Sequence, residues 1–195
     1  MSDQTIKIKV KDLKGLYETL TNYPQISKEQ VENEMKKVFG EEVFKPADVR
    51  ERIKTFEDAF KELGVDHPLV REWQLGAGLS EDLEAYLKLR IITAALNEGW
   101  EPKFTEDEWR YFPYFYLVTQ KEIENMDEEK RSRVVLRSNF NANAFGGIVS
   151  AYADYGSSYA YTLSGSRLAF KTSELAIYAG TQFIDLWADY CFIPK

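Results

Sequence analysis

The stretch YFPYFYLVT, Tyr111 to Thr119, is aromatic and β-branched and carries no charge. Such side chains suit a pleated, half-buried surface, so the stretch predicts a strand. Pro113 cannot donate to a ladder and belongs at a sheet edge or a bulge. On its N-terminal side, apolar residues recur with the helical period; on its C-terminal side, several short segments alternate instead. This change of period predicts an α+β fold: an N-terminal helical layer, then a small antiparallel sheet covered by a C-terminal helix.

Working back from Tyr111, Thr105-Glu-Asp-Glu108 has capping-box form and predicts a short helix opening at Trp109. LSEDLEAYLKLRIITAALNEGW is the most apolar helical segment. Ser80 can cap it, Glu81 and Asp82 favour its positive end, and Gly99 ends it. Leu83, Leu87, Ile91 and Ala94 share one side, with Tyr86, Leu89 and Leu96 beside them, as expected of a central core helix. His67-Pro68 starts another helix, with Leu69, Val70 and Trp73 inward. KPADVRERIKTFEDAFKELG predicts one amphipathic helix with Pro46 in its first turn, Gly64 at its end and a stripe of Val49, Ile53, Phe56, Phe60 and Leu63. Ser27 and Gln30 form a capping box before Val31, Met35, Val38 and Phe39. Leu13, Leu16, Tyr17 and Leu20 mark a further helix, and Ile6–Val10 reads as a short edge strand.

Forward of Thr119, Arg133–Arg137 and Ser166–Phe170 predict strands, and GGIVSAYADY and SSYAYT alternate weakly between them. TSELAIYAGTQFIDLWADYCF predicts one closing helix capped by Thr172 or Ser173, with Leu175, Ala179, Phe183, Leu186 and Tyr190 on one face. The expected organisation is a mainly helical scaffold region over 1–110 and an α+β region over 111–195.

Composition narrows the function. A length of 195 residues suits one domain, or one with an appendage. The net charge of −7 disfavours a phosphate-backbone binder, so a nucleic-acid partner is not the first expectation. A single cysteine, Cys191, leaves no disulfide framework and no Cys-based zinc site. No apolar run approaches the roughly 18 residues of a spanning helix, and the N-terminus lacks a secretion signal's apolar core. A soluble protein of the cytoplasm, or of an assembled particle, is therefore expected, with no membrane partner.

No catalytic constellation emerges. The lone histidine, His67, precedes a proline at a helix start, where capping outweighs catalysis. The carboxylates fall on outward helix faces, as solvated acids do. LGAGLS, Leu75–Ser80, offers a turn that could hold an anion but reads better as a helix–helix connection. The rings of Tyr111–Tyr116 lack the interleaved Lys and Arg of a base-stacking platform. The protein is expected to be no enzyme and to need no metal or cofactor.

One segment stands apart. Residues 1–137 carry 28 acidic and 22 basic groups, whereas 138–195 carry 4 and 3. Ser138–Ser166 contains four tyrosines, two phenylalanines and three asparagines among Ser, Gly and Ala, with no Lys, Arg, Glu or Gln. Rigid aromatic rings among small adaptable side chains are the composition of antibody binding loops. Contact surfaces are likewise depleted in Lys, Glu and Asp. The competing reading is a β-meander with half-buried tyrosines. The genetic code adds a pattern. Codons AAC or AAT randomised only at adenines never encode Met, Trp, Gln, Lys or Glu. Those types make up 50 of the 195 residues, and Ser138–Ser166 has none.

Two resemblances enter here. Through IKTFEDAFKELG, HPLVREW, YLKLRIITAALNEGWEPKFTEDEWRYFPYF and GSRLAFKTSELAIYAGTQFIDLWADYCF, nearly the whole chain resembles an uncharacterised protein family of gut Bacteroidetes phages and prophages. That resemblance implies origin and no activity. Val135–Phe170 is similar to the variable regions of C-type-lectin-like proteins diversified by retroelements. It implies that Val135–Arg137 and Gly165–Leu168 are scaffold. The mutable ligand-facing positions would be Asn139, Phe140, Asn141, Asn143, Phe145, Tyr152, Asp154, Tyr155, Ser157, Ser158, Tyr159 and Tyr161. Such variable regions usually end their chains, whereas a full helix follows here. The leading expectation is a phage-encoded, non-enzymatic binding protein that presents this segment to a protein or glycan. The alternatives are an accessory protein binding nucleic acid or nucleotides, and a virion component whose tyrosines pack against further copies of itself.

Overall fold

The computed structural model describes residues 9–76, 78–103, 105, 107–132, 134–137, 146–156 and 166–191. They form an α+β fold in two compact units, residues 1–47 and 48–195. The division falls inside the span read from sequence as one helical scaffold region.

In the first unit, α1 (Val10–Thr21) and α2 (Lys28–Phe39) are followed by a 3₁₀ turn at Glu41–Phe44. The Ser27–Gln30 capping box forms as expected. Each side chain satisfies a backbone N–H that the first helical turn leaves unpaired. Leu13, Val31, Met35 and Val43 are buried, with Tyr17, Leu20, Phe39 and Phe44 around them. Val38, expected on the same stripe, is 69% exposed. The strand expected over Ile6–Val10 lies outside the described residues except for Lys9 and Val10, and Val10 opens α1.

The second unit opens with a helix that breaks in two. The span expected to be one helix is two: α3 (Val49–Arg52) and α4 (Phe56–Leu63). Ile53 between them is extended, at φ −113° and ψ 94°. Local capping causes the break. Asp48 accepts from Arg50 N–H, and Thr55 forms a capping box with Asp58 that starts a new helix. The stripe survives because Val49 and Ile53 remain buried, and Phe56, Phe60 and Leu63 pack beside them. Pro46 lies outside the first turn. Gly64 stops α4 at φ +80°, a conformation that strains other residues.

Helix α5 (Pro68–Leu75) is capped by His67, whose Nδ1 accepts from Leu69 N–H at 3.3 Å. The LGAGLS segment leads from α5 to α6 (Glu81–Asn97), the central helix, which touches α4 and α5. Its buried side is centred on Leu89, Ile92 and Leu96 rather than on Leu83, which is 47% exposed. Each such buried aliphatic side chain contributes about 1.5–3 kcal/mol. Ser80 occupies the N-cap position, but its side chain makes no capping hydrogen bond. Glu98 follows α6 in the left-handed region at φ 50°. That conformation is costly for a non-glycine residue. The carboxylate is clamped there by Arg52 and Lys171, each at 2.8 Å.

No helix opens at Trp109. The Glu108 carboxylate accepts from Lys103 N–H, and the chain goes directly into β1 (Arg110–Thr119). Two short helices, α7 (Gln120–Glu124) and α8 (Glu128–Ser132), precede β2 (Val135–Arg137) and β3 (Gly146–Gly156). The described strands form an antiparallel sheet in the order β1-β3-β2. The β1–β3 register shifts between Tyr114 and Phe115, with Ala151 of β3 as the extra residue, while Pro113 pairs regularly with Ala153 on β1, an edge of the described sheet and one of the two places expected for it. Ser166–Phe170 is not a strand. Ser166–Leu168 makes a 3₁₀ turn, and only Phe170 bridges to β1, through Tyr111. The closing helix is also two, α9 (Ser173–Gln182) and α10 (Ile184–Cys191), parted at Phe183. Thr172 caps the first, accepting from Leu175 N–H. Helix α9 lies against β1 and β3, while α10 lies against α6. Trp187 is buried in the resulting core at 5.5 Å from the Phe115 ring.

Candidate functional site

The sequence-predicted segment meets the fold at β3. Tyr152, Asp154 and Tyr155 stand in this strand, opposite Tyr114, Phe112 and Tyr111 of β1. Asn139, Phe140, Asn141, Asn143, Phe145, Ser157, Ser158, Tyr159 and Tyr161 lie outside the described residues.

Strand alternation sorts β1 into two faces. Tyr111 and Phe115 pack on the hydrophobic core with Trp187 and α9. Tyr114 and Tyr116 belong to the other face, where their rings meet edge-to-face at 5.5 Å. Tyr116 is 50% exposed and Trp109, just before the strand, 51%. The basic residue of β1, Arg110, is fully buried and donates to Lys103 O at 3.1 Å. It therefore puts no cation at the surface beside these rings. Sequence composition flagged β1 as aromatic, but which rings turn outward depends on the helices packed behind it.

A second feature escaped the sequence. Between α5, α6, the 99–102 segment and the 167–169 segment lies a cavity of about 480 Å³. Its wall includes His67, Arg90, Thr93, Asn97, Trp100, Glu101 and Arg167. Asn97 holds the wall together: its Nδ2 donates to Ala169 O at 2.8 Å, and its Oδ1 accepts from Lys171 N–H at 3.1 Å. Arg90 is committed to Glu72 at 2.8 Å and to the Tyr86 ring. Because His67 Nδ1 accepts a hydrogen bond, the proton of its neutral ring sits on Nε2. The Thr93 hydroxyl is buried and has no hydrogen-bond partner among the described residues. Sequence periodicity placed Leu69 and Ala94 as core positions; nothing in it joined His67 to Arg167, a hundred residues away.

Among the described residues, no helix is long and apolar enough to cross a membrane. No protein-family model matches the chain, and neither a curated protein nor a solved structure matches it.

Proposed function

We propose that this chain is a non-enzymatic binding protein whose β1–β3 face presents tyrosine rings to a glycan or protein partner. The observation that carries this is the Tyr114–Tyr116 ring pair, with Tyr116 half exposed, on the strand paired in register with the Tyr/Ser/Gly-rich segment. Tyrosine supplies a large amphipathic contact area with few rotatable bonds. The opposite side of the same sheet is anchored by α9, so the rings sit on a rigid support. Burial of Arg110 favours a neutral partner surface over a phosphate backbone.

The test is to screen the full chain against a glycan array and a displayed peptide library. The hits are then repeated with Tyr116→Ala and with Tyr152, Tyr155, Tyr159 and Tyr161 all changed to alanine. Binding lost at an unchanged melting temperature supports the proposal. Collapse of stability in the fourfold variant, or hits indifferent to both variants, supports the buried meander instead.

A further inference from the structure

We infer that the α5–α6 cavity is a binding site for a small organic anion, one with an oxyanion head and a flat apolar body. This site is separate from the tyrosine face and rests on different residues. Its volume of about 480 Å³ falls in the range of ordinary ligand pockets.

The chemistry of the wall is mostly that of a hydrogen-bond donor. Arg167 makes no hydrogen bond or ion pair among the described residues, and it is exposed at the cavity. An unpaired guanidinium is a preformed fork for a carboxylate or phosphate. His67 adds its Nε2–H, since Nδ1 is held by the cap. Thr93 adds a hydroxyl that has no hydrogen-bond partner among the described residues. Threonine in a helix populates two χ1 rotamers, so its methyl and hydroxyl can exchange places at the wall. Leu63, Leu69 and the Trp100 ring give the site apolar surface for a flat body. Arg90 adds little net charge because Glu72 neutralises it. Glu101 is the carboxylate of the described wall; it is exposed and disfavours an anion only through water. The wall is also built to hold its shape: Asn97 bonds the 169–171 backbone to α6, which fixes the segment that carries Arg167.

Isothermal titration and thermal shift on the full chain test this with four probes. Indole-3-acetate and 1-naphthyl phosphate carry the two oxyanion heads, while tryptophol is neutral and tryptamine cationic. At least one anion should bind and raise the melting temperature, and tryptophol and tryptamine should bind more weakly. Preference between the two anions tells carboxylate from phosphate. Arg167→Ala, an exposed truncation that the fold tolerates, should weaken the anion about 10- to 100-fold. Thr93→Val should weaken it while leaving the ligand-free protein at least as stable. The proposal is overturned if neither anion binds at millimolar concentration, if tryptamine or tryptophol binds equally well, or if Arg167→Ala leaves affinity unchanged.

Discussion

Helix α6 carries two buried polar side chains one turn apart, and their substitution should move stability in opposite directions. Asn97 is 3% exposed and Thr93 4%. Asn97→Ala removes two hydrogen bonds, one to Ala169 O and one from Lys171 N–H. Ala169 is 1% exposed, so its carbonyl is stranded without water at a cost of about 1–3 kcal/mol. Lys171 is partly exposed, and water can replace the lost acceptor, which limits that cost to about 1 kcal/mol. The sum is about 2–4 kcal/mol, or roughly 5–15 °C in melting temperature for a unit of this size. Thr93→Val keeps the shape and removes a hydroxyl that has no partner among the described residues. It should stabilise by about 0.5–1 kcal/mol. Urea unfolding followed by tryptophan fluorescence reads both effects, because Trp73, Trp100, Trp109 and Trp187 all belong to the unit spanning residues 48–195. A loss below about 1 kcal/mol for Asn97→Ala would mean that the clamp is replaceable by solvent. Destabilisation by Thr93→Val would mean that its hydroxyl bonds the preceding helical turn.

Other perturbations have equally definite outcomes. Thr55→Ala removes half of the capping box that separates α3 from α4, and should cost about 1 kcal/mol with faster amide exchange in the first turn of α4. Tyr178→Phe removes the hydroxyl that reaches Ile53 O at 2.6 Å and Arg50 O at 3.0 Å, and should cost about 1 kcal/mol in the same urea assay. Acid should also weaken the fold. Hydrogen bonds from Arg50 hold the Asp48 carboxyl down to about 2, and Lys171 and Arg52 hold that of Glu98 below its usual range. Both values are depressed, so their stabilisation is complete above about pH 5 and is lost as pH falls toward 2. The variant with Asp48→Asn and Glu98→Gln should be less stable at pH 7 and show a shallower fall in urea midpoint between about pH 5 and 2. An unchanged slope would remove these two groups from the acid response.

Signals that act within a few residues are legible in the sequence. The Ser27 and His67 caps stand where the sequence places them, and of the two candidates before α9 Thr172 is the cap; each bonds a backbone group within three residues. The Thr55–Asp58 box was equally visible, yet the continuous apolar stripe from Val49 to Leu63 masked it. A stripe records which side is buried and does not register a break that keeps the same side inward. Ser166–Phe170 has strand-like composition, but a strand needs a partner along its length, and only Phe170 meets β1. The closing helix divides at Phe183 for a similar reason: its apolar pattern continues across a bend that packing dictates.

By itself, then, the sequence determined the α+β class, the caps of α2 and α5, the aromatic strand and the charge-poor segment that follows it. These depend on bonds and periodicities spanning a few residues. Only the tertiary structure decided which tyrosines of β1 turn away from the core and that His67, Thr93, Trp100 and Arg167 line one cavity. Those arrangements are set by helices packing across long sequence separations, where no local pattern records which neighbour will arrive.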